Sequence, residues 1–274
     1  MGSNRFISGI YNYCDYWCER CAYTRRCRNY QMDPGLKRRA DGQPPPIERD
    51  AANAAFWADL AEAVREAELF GPADARDREA GLPDDLQPDS EWLAREEAHR
   101  AAVQQHPLVR MAFDYMKRVE AWQSTADPDL KAVARGLLEV AKSPVPNPAE
   151  EEAREIGDMI EIATWYHTLI PPKLSRALDG VFEKDGLDDD PTGVLAETRQ
   201  HDANGSARVV LLAIERSIAA WTRLRTLVPA QGDAILDLLV PLDRMRGGIH
   251  LILPGAQQFP LAFLGEFSEP PTNA

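Results

Sequence analysis

The sequence has no cysteine outside one short stretch near its N-terminus. Its four cysteines, Cys14, Cys18, Cys21 and Cys27, lie within fourteen of the 274 positions. A secreted protein cross-linked by disulfides distributes its cysteines among distant loops, so this crowding argues against that class. It points instead to one coordination site for a metal centre.

Long apolar runs and the common catalytic signatures are also missing. No window holds the roughly 18 uninterrupted apolar residues of a membrane helix, and residues 1–8 lack the apolar core of a secretory signal. The chain has no phosphate-binding glycine loop, no G-x-S-x-G nucleophile turn and no H-E-x-x-H zinc motif. We therefore expect a cytoplasmic protein without a membrane segment, and the motifs leave open whether it is an enzyme.

Positive charge is scarce over most of the chain. The formal net charge is -13, which argues against a protein that coats nucleic acid with its whole surface. Residues 1–50 nevertheless carry nine Lys and Arg against six Asp and Glu. This basic head could dock on an acidic partner, although charge runs are more commonly solvated surface.

The rest of the chain has the pattern of an all-α protein. Apolar residues recur every three or four positions in several segments, as in Ile235, Leu238 and Leu242, and no segment shows sustained alternation. We predict a bundle of about six helices preceded by a cysteine-rich metal-binding loop. The pair Gly247-Gly248 would permit close packing inside the last helix.

Prolines set most of the predicted helix boundaries. An N-cap followed by Pro predicts new helices at Asp127-Pro128 and at Asn147-Pro148. The other predicted features are a kink or split at Pro107, a helix end at Pro171-Pro172 and an acidic loop over 184–204. An irregular tail is predicted over 254–274, held on the bundle by four apolar residues: Phe259, Leu261, Phe263 and Phe267. The last two helices are expected over about 205–227 and about 233–253.

The chain is predicted to consist of a cysteine-rich module over residues 1–46 and a helical bundle domain over residues 47–274. Residues 41–46 read DGQPPP, and consecutive prolines favour an extended linker over a helix. An amphipathic helix is predicted soon after it, with Trp57, Leu60 and Val64 on one face.

The four cysteines follow a C-x3-C-x2-C-x5-C pattern. Thiolates are soft ligands that suit either tetrahedral zinc or an iron–sulfur cluster. Structural zinc sites usually join two similar C-x2-C knuckles, whereas this segment has one such pair between two single cysteines. Because a [4Fe-4S] cubane accepts thiolates singly at its four corners, the uneven spacing favours the cluster, with zinc as the alternative.

Aromatic and basic residues surround these ligands, which we expect to lie on a loop of distorted turns. Five of the seven tyrosines and Trp17 lie within the first 30 residues, where they could exclude water and so tune a reduction potential. Four arginines would offset the negative charge of a thiolate-ligated cluster: Arg20, Arg25, Arg26 and Arg28.

The segment from Cys18 to Cys27, CERCAYTRRC, resembles the C-x2-C-x5-C end of the [4Fe-4S] loop in endonuclease III-type DNA glycosylases and in some CRISPR-associated nucleases. The resemblance implies the cluster and not the glycosylase, because those enzymes have six residues before the pair and carry the loop at the C-terminal end of the domain. The first three cysteines also fit the C-x3-C-x2-C of radical SAM enzymes. That likeness fails at Arg20, where an aromatic residue is usual, and at the additional ligand Cys27.

A broader resemblance covers most of the chain. The run from Ile10 to Tyr30, together with Trp165-Tyr166-His167 and two segments that begin at Asp202 and Glu215, is similar to a family of uncharacterised bacterial helical proteins. Since no activity is established for that family, the resemblance implies none for this chain.

Three polar residues of the helical domain are candidates for a second metal or small-ligand site: His167, Asp202 and Glu215. His167 falls within an apolar stripe, where a histidine bonded to a backbone carbonyl is the usual finding and a ligand is the rarer one. Glu215 shares a helix face with three arginines, which favours ion pairs that fix helix register over a ligand pocket: Arg208, Arg216 and Arg223.

The sequence favours a [4Fe-4S] protein that transfers or senses electrons, with an unidentified redox protein as its partner. One alternative is an oxidoreductase with a second centre at His167, Asp202 and Glu215. Another is a nucleic-acid-associated protein in which the basic head contacts phosphate and the cluster or zinc is structural.

Overall fold

The computed structural model describes residues 6–40, 90–141, 148–182 and 192–264. Within these ranges all regular structure is helical and no strand is present, which confirms the predicted all-α fold class. Two short helices follow the cysteine stretch, α1 (Arg28–Met32) and α2 (Pro34–Ala40). The longer helices are α3 (Ser90–Gln105), α4 (Pro107–Ala141), α5 (Pro148–Phe182), α6 (Val194–Leu227) and α7 (Gly232–Ile252). None of the described helices combines the length and the apolar character needed to cross a membrane.

The chain divides into two compact units. One contains Met1–Tyr11 and Tyr16–Glu97, and the other contains Asn12–Asp15 together with Ala98–Ala274. The short segment Asn12–Asp15 therefore belongs with the long helices. The predicted boundary at residue 46, the proline linker and the helix around Trp57 lie outside the described residues.

The core of the second unit forms where α4, α5, α6 and α7 pack against one another. Helix α6 is buried along much of its length, and its Trp221 is fully buried. The Trp221 ring meets Trp122 of α4 edge to face with 4.7 Å between ring centroids, and its indole N–H donates to the Tyr115 hydroxyl at 2.9 Å. Aromatic pairs of this geometry stabilise the fold beyond the area they bury, and the hydrogen bond satisfies a buried donor.

Two predicted helix boundaries do not occur, because the helices continue through their prolines. Helix α4 runs through Pro128, and α5 runs through Pro171 and Pro172. A proline inside a helix removes one backbone hydrogen bond and kinks the helix. In α5 packing offsets this loss, since Ile170 and Leu174 on either side of the prolines are both fully buried. Both predicted boundaries are therefore wrong.

Helix α6 begins at Val194, although the polar stretch before Gly205 predicted a loop. The side chains of its first two turns are mostly exposed, so this stretch has no apolar period. Its packing against α5 depends on small residues, because a Cβ added at Gly180 would lie 3.2 Å from the Cβ of the fully buried Ala203. Hydrophobic periodicity does not register close packing of this kind.

Gly248 has the packing role that was predicted for the glycine pair of α7. A Cβ added at Gly248 would lie 2.6 Å from a methyl carbon of Leu108 in α4, whereas one at Gly247 would meet no atom within 4 Å. The prediction is confirmed for one member of the pair.

Beyond α7 the chain makes two short 3-10 turns, Pro254–Gln258 and Ala262–Leu264. Leu261 is fully buried there, and the Phe259 ring lies 4.8 Å from the His201 ring of α6, centroid to centroid. These contacts confirm the predicted packing of the tail onto the helices for its described part.

Candidate metal centre

The cysteine-bearing stretch of the first unit folds as a series of tight turns. Residues Cys18–Arg20 and Thr24–Arg26 each form a 3-10 turn, and α1 begins directly after Cys27. Tyr16 has a positive φ of 56°, a left-handed conformation that is uncommon for a residue with a bulky side chain. As the spacing predicts, turns rather than a regular helix separate these cysteines.

All four cysteines are free thiols and each is partly exposed. The backbone N–H of Tyr23 donates to Cys21 Sγ at 3.4 Å, and that of Tyr30 donates to Cys27 Sγ at 3.5 Å. The second bond makes Cys27 the N-cap of α1. Hydrogen bonds of this kind stabilise negative charge on sulfur and are among the factors that set the potential of iron–sulfur sites.

Side chains of the first unit reinforce these turns. The Gln31 amide donates to the Thr24 carbonyl at 3.2 Å, and the Arg20 guanidinium lies over the buried Trp17 ring, 4.3 Å from its centroid. The remaining arginines of the predicted basic set are exposed: Arg25, Arg26 and Arg28.

Asp15, the residue after Cys14, is a buried carboxylate held by side chains of α5 and α6. It accepts hydrogen bonds from the Tyr166 hydroxyl at 2.9 Å and from the Arg216 guanidinium at 3.0 Å. Arg216 also donates to the Tyr166 hydroxyl, and the Trp165 indole N–H donates to the Asp15 carbonyl oxygen at 3.0 Å. Since Asp15 is only 5% exposed, these partners compensate the loss of water around its charge.

The pKa of Tyr166 keeps this network in one protonation state. Burial raises that pKa, and the charge of Asp15 raises it further. The Tyr166 hydroxyl therefore keeps its proton at neutral pH and donates it to the carboxylate.

A second polar cluster holds Tyr13. Its hydroxyl donates to Asp202 of α6 at 3.1 Å, and Arg176 of α5 donates two hydrogen bonds to the same carboxylate, one of them from Nε at 2.9 Å. Burial raises the pKa of Tyr13 to about 12, and the Asp202 charge adds to this shift. Although burial opposes it, hydrogen bonding from Arg176 and Tyr13 lowers the pKa of Asp202. At neutral pH the carboxylate is charged and the phenol is a donor.

Lys173 of α5 brings a buried positive charge to the Cys14 segment. It is 7% exposed, and its ammonium donates to the carbonyl oxygen of Asn12 at 3.4 Å. Burial lowers the pKa of Lys173, and the charge of Cys14 is the main influence that opposes this shift. The ammonium is therefore placed to offset negative charge on the Cys14 sulfur.

Close packing fixes the same segment. A Cβ added at Gly205 of α6 would lie 2.6 Å from the Tyr13 ring and 2.9 Å from the Phe259 ring. Real Cβ atoms do not approach other atoms so closely, so a glycine is required for the Tyr13 ring to lie against the helix.

His167 has the environment of a buried structural histidine. It is 6% exposed, and its Nδ1 lies 2.6 Å from the carbonyl oxygen of Thr164 in the preceding turn of α5. Burial lowers the pKa of His167, and the bond to Thr164 opposes this shift only in part. The neutral ring is therefore the favoured form at pH 7, with its Nδ1 proton donated to the carbonyl.

The other two residues predicted for a second site have different surroundings. Asp202 binds Arg176 as described above, and Glu215 is exposed. Two of the three α6 arginines expected to pair with Glu215 bind other carboxylates: Arg216 binds Asp15 at 3.0 Å and Arg223 binds Glu155 at 2.6 Å. Across the described residues, no group of three or more His, Cys, Asp or Glu side chains is arranged to hold one metal ion. A second metal site gains no support from these contacts.

Sequence reasoning missed most of the residues that hold the Cys14 segment. Lys173 gave a usable signal, since it follows Ile170 by three positions and so falls on the apolar face of α5, where a charged group needs a partner. Asp15 gave no such signal. Its bonds to Tyr166 and Arg216 join residues 151 and 201 positions apart, and contacts of that length leave no local pattern.

Comparison with known proteins identifies no relative. No family model, no curated protein and no solved structure matches the chain significantly. Its function is therefore argued from its own residues.

Proposed function

We propose that the chain is a cytoplasmic [4Fe-4S] protein that transfers or senses electrons, with a redox protein as its partner. The ligands in this proposal are Cys14, Cys18, Cys21 and Cys27, and the observation that carries it is their C-x3-C-x2-C-x5-C spacing. When bound, the cluster would supply a one-electron redox centre. The surrounding residues fit this chemistry in their hydrogen-bond donors, their charges and their rigidity.

The donor set suits an iron–sulfur cluster. The four sulfurs are thiols rather than disulfides, and thiolates are the usual protein ligands of such clusters. Cys21 and Cys27 each accept a hydrogen bond from a backbone N–H. These donors are fixed by the backbone turns, so they would stabilise the added negative charge of a reduced cluster without rearrangement.

Zinc is the alternative cofactor, and it makes a stricter geometric demand. A zinc ion requires its ligand atoms within about 2.0–2.3 Å of one point. Structural zinc sites usually join two similar C-x2-C knuckles, whereas this segment has one such pair, Cys18 and Cys21, between two single cysteines. A cubane distributes its four attachment points over separate irons, so its ligands need not meet at one centre. We therefore favour the cluster.

The position of Lys173 supports an electron-transfer role over a purely structural one. A thiolate-ligated cluster becomes more negative when it is reduced, so a nearby cation favours the reduced form. A buried ammonium acts more strongly than an exposed one because little water screens it. Lys173 is buried, and its ammonium donates to the carbonyl oxygen of Asn12, two residues before Cys14, an arrangement that would raise a reduction potential.

Anaerobic spectroscopy of the full chain tests the proposal. We expect absorption near about 400 nm, iron and sulfide contents of about four each per chain, and loss of both in Cys27→Ser. Tyr23→Phe is a matched control, because it alters the same loop but keeps every sulfur and the backbone N–H that binds Cys21. It should retain the iron content of the parent protein.

Two results would overturn parts of this proposal. A colourless protein with one bound zinc would replace the cluster by zinc, and an iron content unaffected by Cys27→Ser would remove Cys27 from the ligand set. If the cluster is present, reversible bleaching by dithionite without loss of iron would support a redox role. Destruction of the cluster on reduction would instead favour a structural one.

A second candidate function is binding of nucleic acid through the basic head. The observation that favours it is the exposure of three arginines in and after the ligand loop: Arg25, Arg26 and Arg28. Exposed guanidinium groups contact phosphate without reading sequence. Salt-dependent binding to duplex DNA or RNA that is lost in Arg25→Gln/Arg28→Gln, but kept in the exposed control Arg225→Gln, would favour this function. A lack of binding at low salt would exclude it.

A further inference from the structure

A groove between α4 and α7 is separate from the cysteine ligands and is not used by the proposed cluster. Its volume is about 430 Å³, which falls in the range of small-molecule sites, roughly 300–1,000 Å³. Five charged side chains line it, three basic and two acidic: Arg110, Arg118, Arg244, Asp114 and Asp237. We refer to it as the arginine groove.

The charges of the arginine groove do not pair with one another. Arg110, Asp114 and Arg118 follow each other at intervals of four along α4, a spacing that commonly gives ion pairs on one helix face. Within the described part of the chain, none of the five groove side chains takes part in an ion pair or a side-chain hydrogen bond. The next turn of α7 contrasts with this, because Arg246 there is paired with Asp243. The three guanidinium groups of the groove therefore keep their donors available.

The backbone adds further polar groups to the same place. Pro241 lies inside α7 and lines the groove, and it has no N–H to donate to the carbonyl of Asp237 one turn earlier. Pro107, the first residue of α4, also lines the groove. The groove thus combines a surplus of donors and positive charge with a few acceptors.

We propose that the arginine groove binds a small molecule with two or more negative oxyanion groups, either phosphates or carboxylates. The planar fork of a guanidinium group matches both kinds of oxyanion with two parallel hydrogen bonds. Asp114, Asp237 and the Asp237 carbonyl would accept hydrogen bonds from hydroxyl or amino groups of the same ligand. On a chain with a net charge of -13, the five charged side chains of the groove sum to +1, so the groove is less repulsive to anions than most of the surface.

Calorimetric titration of the full chain with sodium pyrophosphate and with sodium citrate, at constant ionic strength, tests this site. We expect saturable binding of at least one anion, and Arg118→Gln/Arg244→Gln should weaken it by about tenfold or more. The control Arg225→Gln removes one positive charge from an exposed position of α6 outside the groove, and should change the affinity by less than about twofold.

The choice of anion identifies the ligand class. Tighter binding of pyrophosphate would assign the groove to phosphate compounds, and tighter binding of citrate would assign it to polycarboxylates. Absence of heat with either anion would overturn the proposal, as would an equal loss of affinity in Arg225→Gln. Unfolding measured by circular dichroism checks that the double variant is folded, which is expected because both side chains are exposed.

Discussion

The chain segments before and after Tyr16 are held in place by different forces. Asn12–Asp15 is fixed by side chains of α5 and α6, and its Asp15 carboxylate is buried. The turns that follow are held by backbone bonds between near neighbours, such as the N–H of Cys21 to the carbonyl of Cys18 at 3.3 Å. The position of Cys14 therefore depends on distant helices, whereas that of the later cysteines depends on the local chain.

Removing the Asp15 carboxylate should have the largest effect, because it takes away the main partner that holds residues 12–15 to the long helices. Asp15→Ala leaves Tyr166 and Arg216 without their shared partner, so we expect the free energy of unfolding to fall by about 2–3 kcal/mol. Urea unfolding followed by circular dichroism measures this loss. Amide hydrogen exchange, measured by mass spectrometry, should accelerate more at residues 12–15 than at residues 18–32.

Asp15→Asn is the matched control, because its amide oxygen can still accept hydrogen bonds from Tyr166 and Arg216. It should destabilise the protein less than Asp15→Ala. Equal losses in the two variants would assign the effect to the charge alone, and no loss in either would contradict the role of Asp15 as an anchor.

Gly205→Ala disturbs the same segment, residues 12–15, through its packing on α6 and not through a charge. The added methyl group would lie 2.6 Å from the Tyr13 ring, so the ring must move away from Asp202. We expect a loss of about 1–2 kcal/mol, within the range for overpacked sites, together with faster exchange at residues 12–15.

Gly248→Ala provides a control of similar severity elsewhere, since its Cβ would lie 2.6 Å from Leu108. It should lower stability without specifically accelerating exchange at residues 12–15. The same exchange pattern in both glycine variants would show that Gly205 has no special relation to the Cys14 segment.

Lys173→Met tests the role of the buried charge near Cys14. It removes the ammonium and keeps a long, flexible side chain. Loss of a buried ammonium also removes its desolvation cost, so we expect a change in unfolding free energy below about 1 kcal/mol. In the cluster-loaded protein the reduction potential should fall, as measured by an anaerobic redox titration. Lys173→Arg should restore much of the potential. The exposed control Lys117→Met should not alter it, and an unchanged potential in Lys173→Met would rule out an influence of Lys173 on the cluster.

The smallest expected effect is a pH dependence carried by Asp202. Hydrogen bonds from Arg176 and Tyr13 hold its pKa in the folded protein below the usual 3.8, so the unfolded chain takes up this proton first as the pH falls. The stability contributed by Asp202 is complete well above about pH 4 and is lost as the pH falls through its folded-state pKa. We measure the free energy of unfolding with urea at about pH 6 and about pH 3. It should change less between these two pH values in Asp202→Asn than in the parent protein. An equal change in the free energy of unfolding for the two proteins would contradict the prediction.

The helical class could be predicted from the sequence because amphipathic periodicity is a local property. The predicted end of α6 at Leu227 is also correct. The prediction failed at Pro171, where burial of Ile170 and Leu174 outweighs a local penalty, and before Gly205, where small residues replace the expected apolar ones. Tertiary packing decides such positions.

For the candidate site, too, local features could be predicted from the sequence and long-range contacts could not. The spacing of the cysteines is visible in a stretch of fourteen residues and suffices to predict a metal centre. The anchor of Cys14 could not be predicted, because Asp15, Lys173 and Arg216 come together only after the long helices pack. Of these, Lys173 carried a signal that the sequence analysis did not use, since it is a charge on the apolar face of α5.

The bond between Asp15 and Arg216 sets an order of events during biosynthesis. Asp15 leaves the ribosome early, and its arginine partner is made 201 residues later. At about 5–20 residues per second, roughly 10–40 s of translation separate the two. The nascent N-terminus therefore spends that time without its Arg216 partner, and the anchor of the Cys14 segment is complete only after α6 has been made.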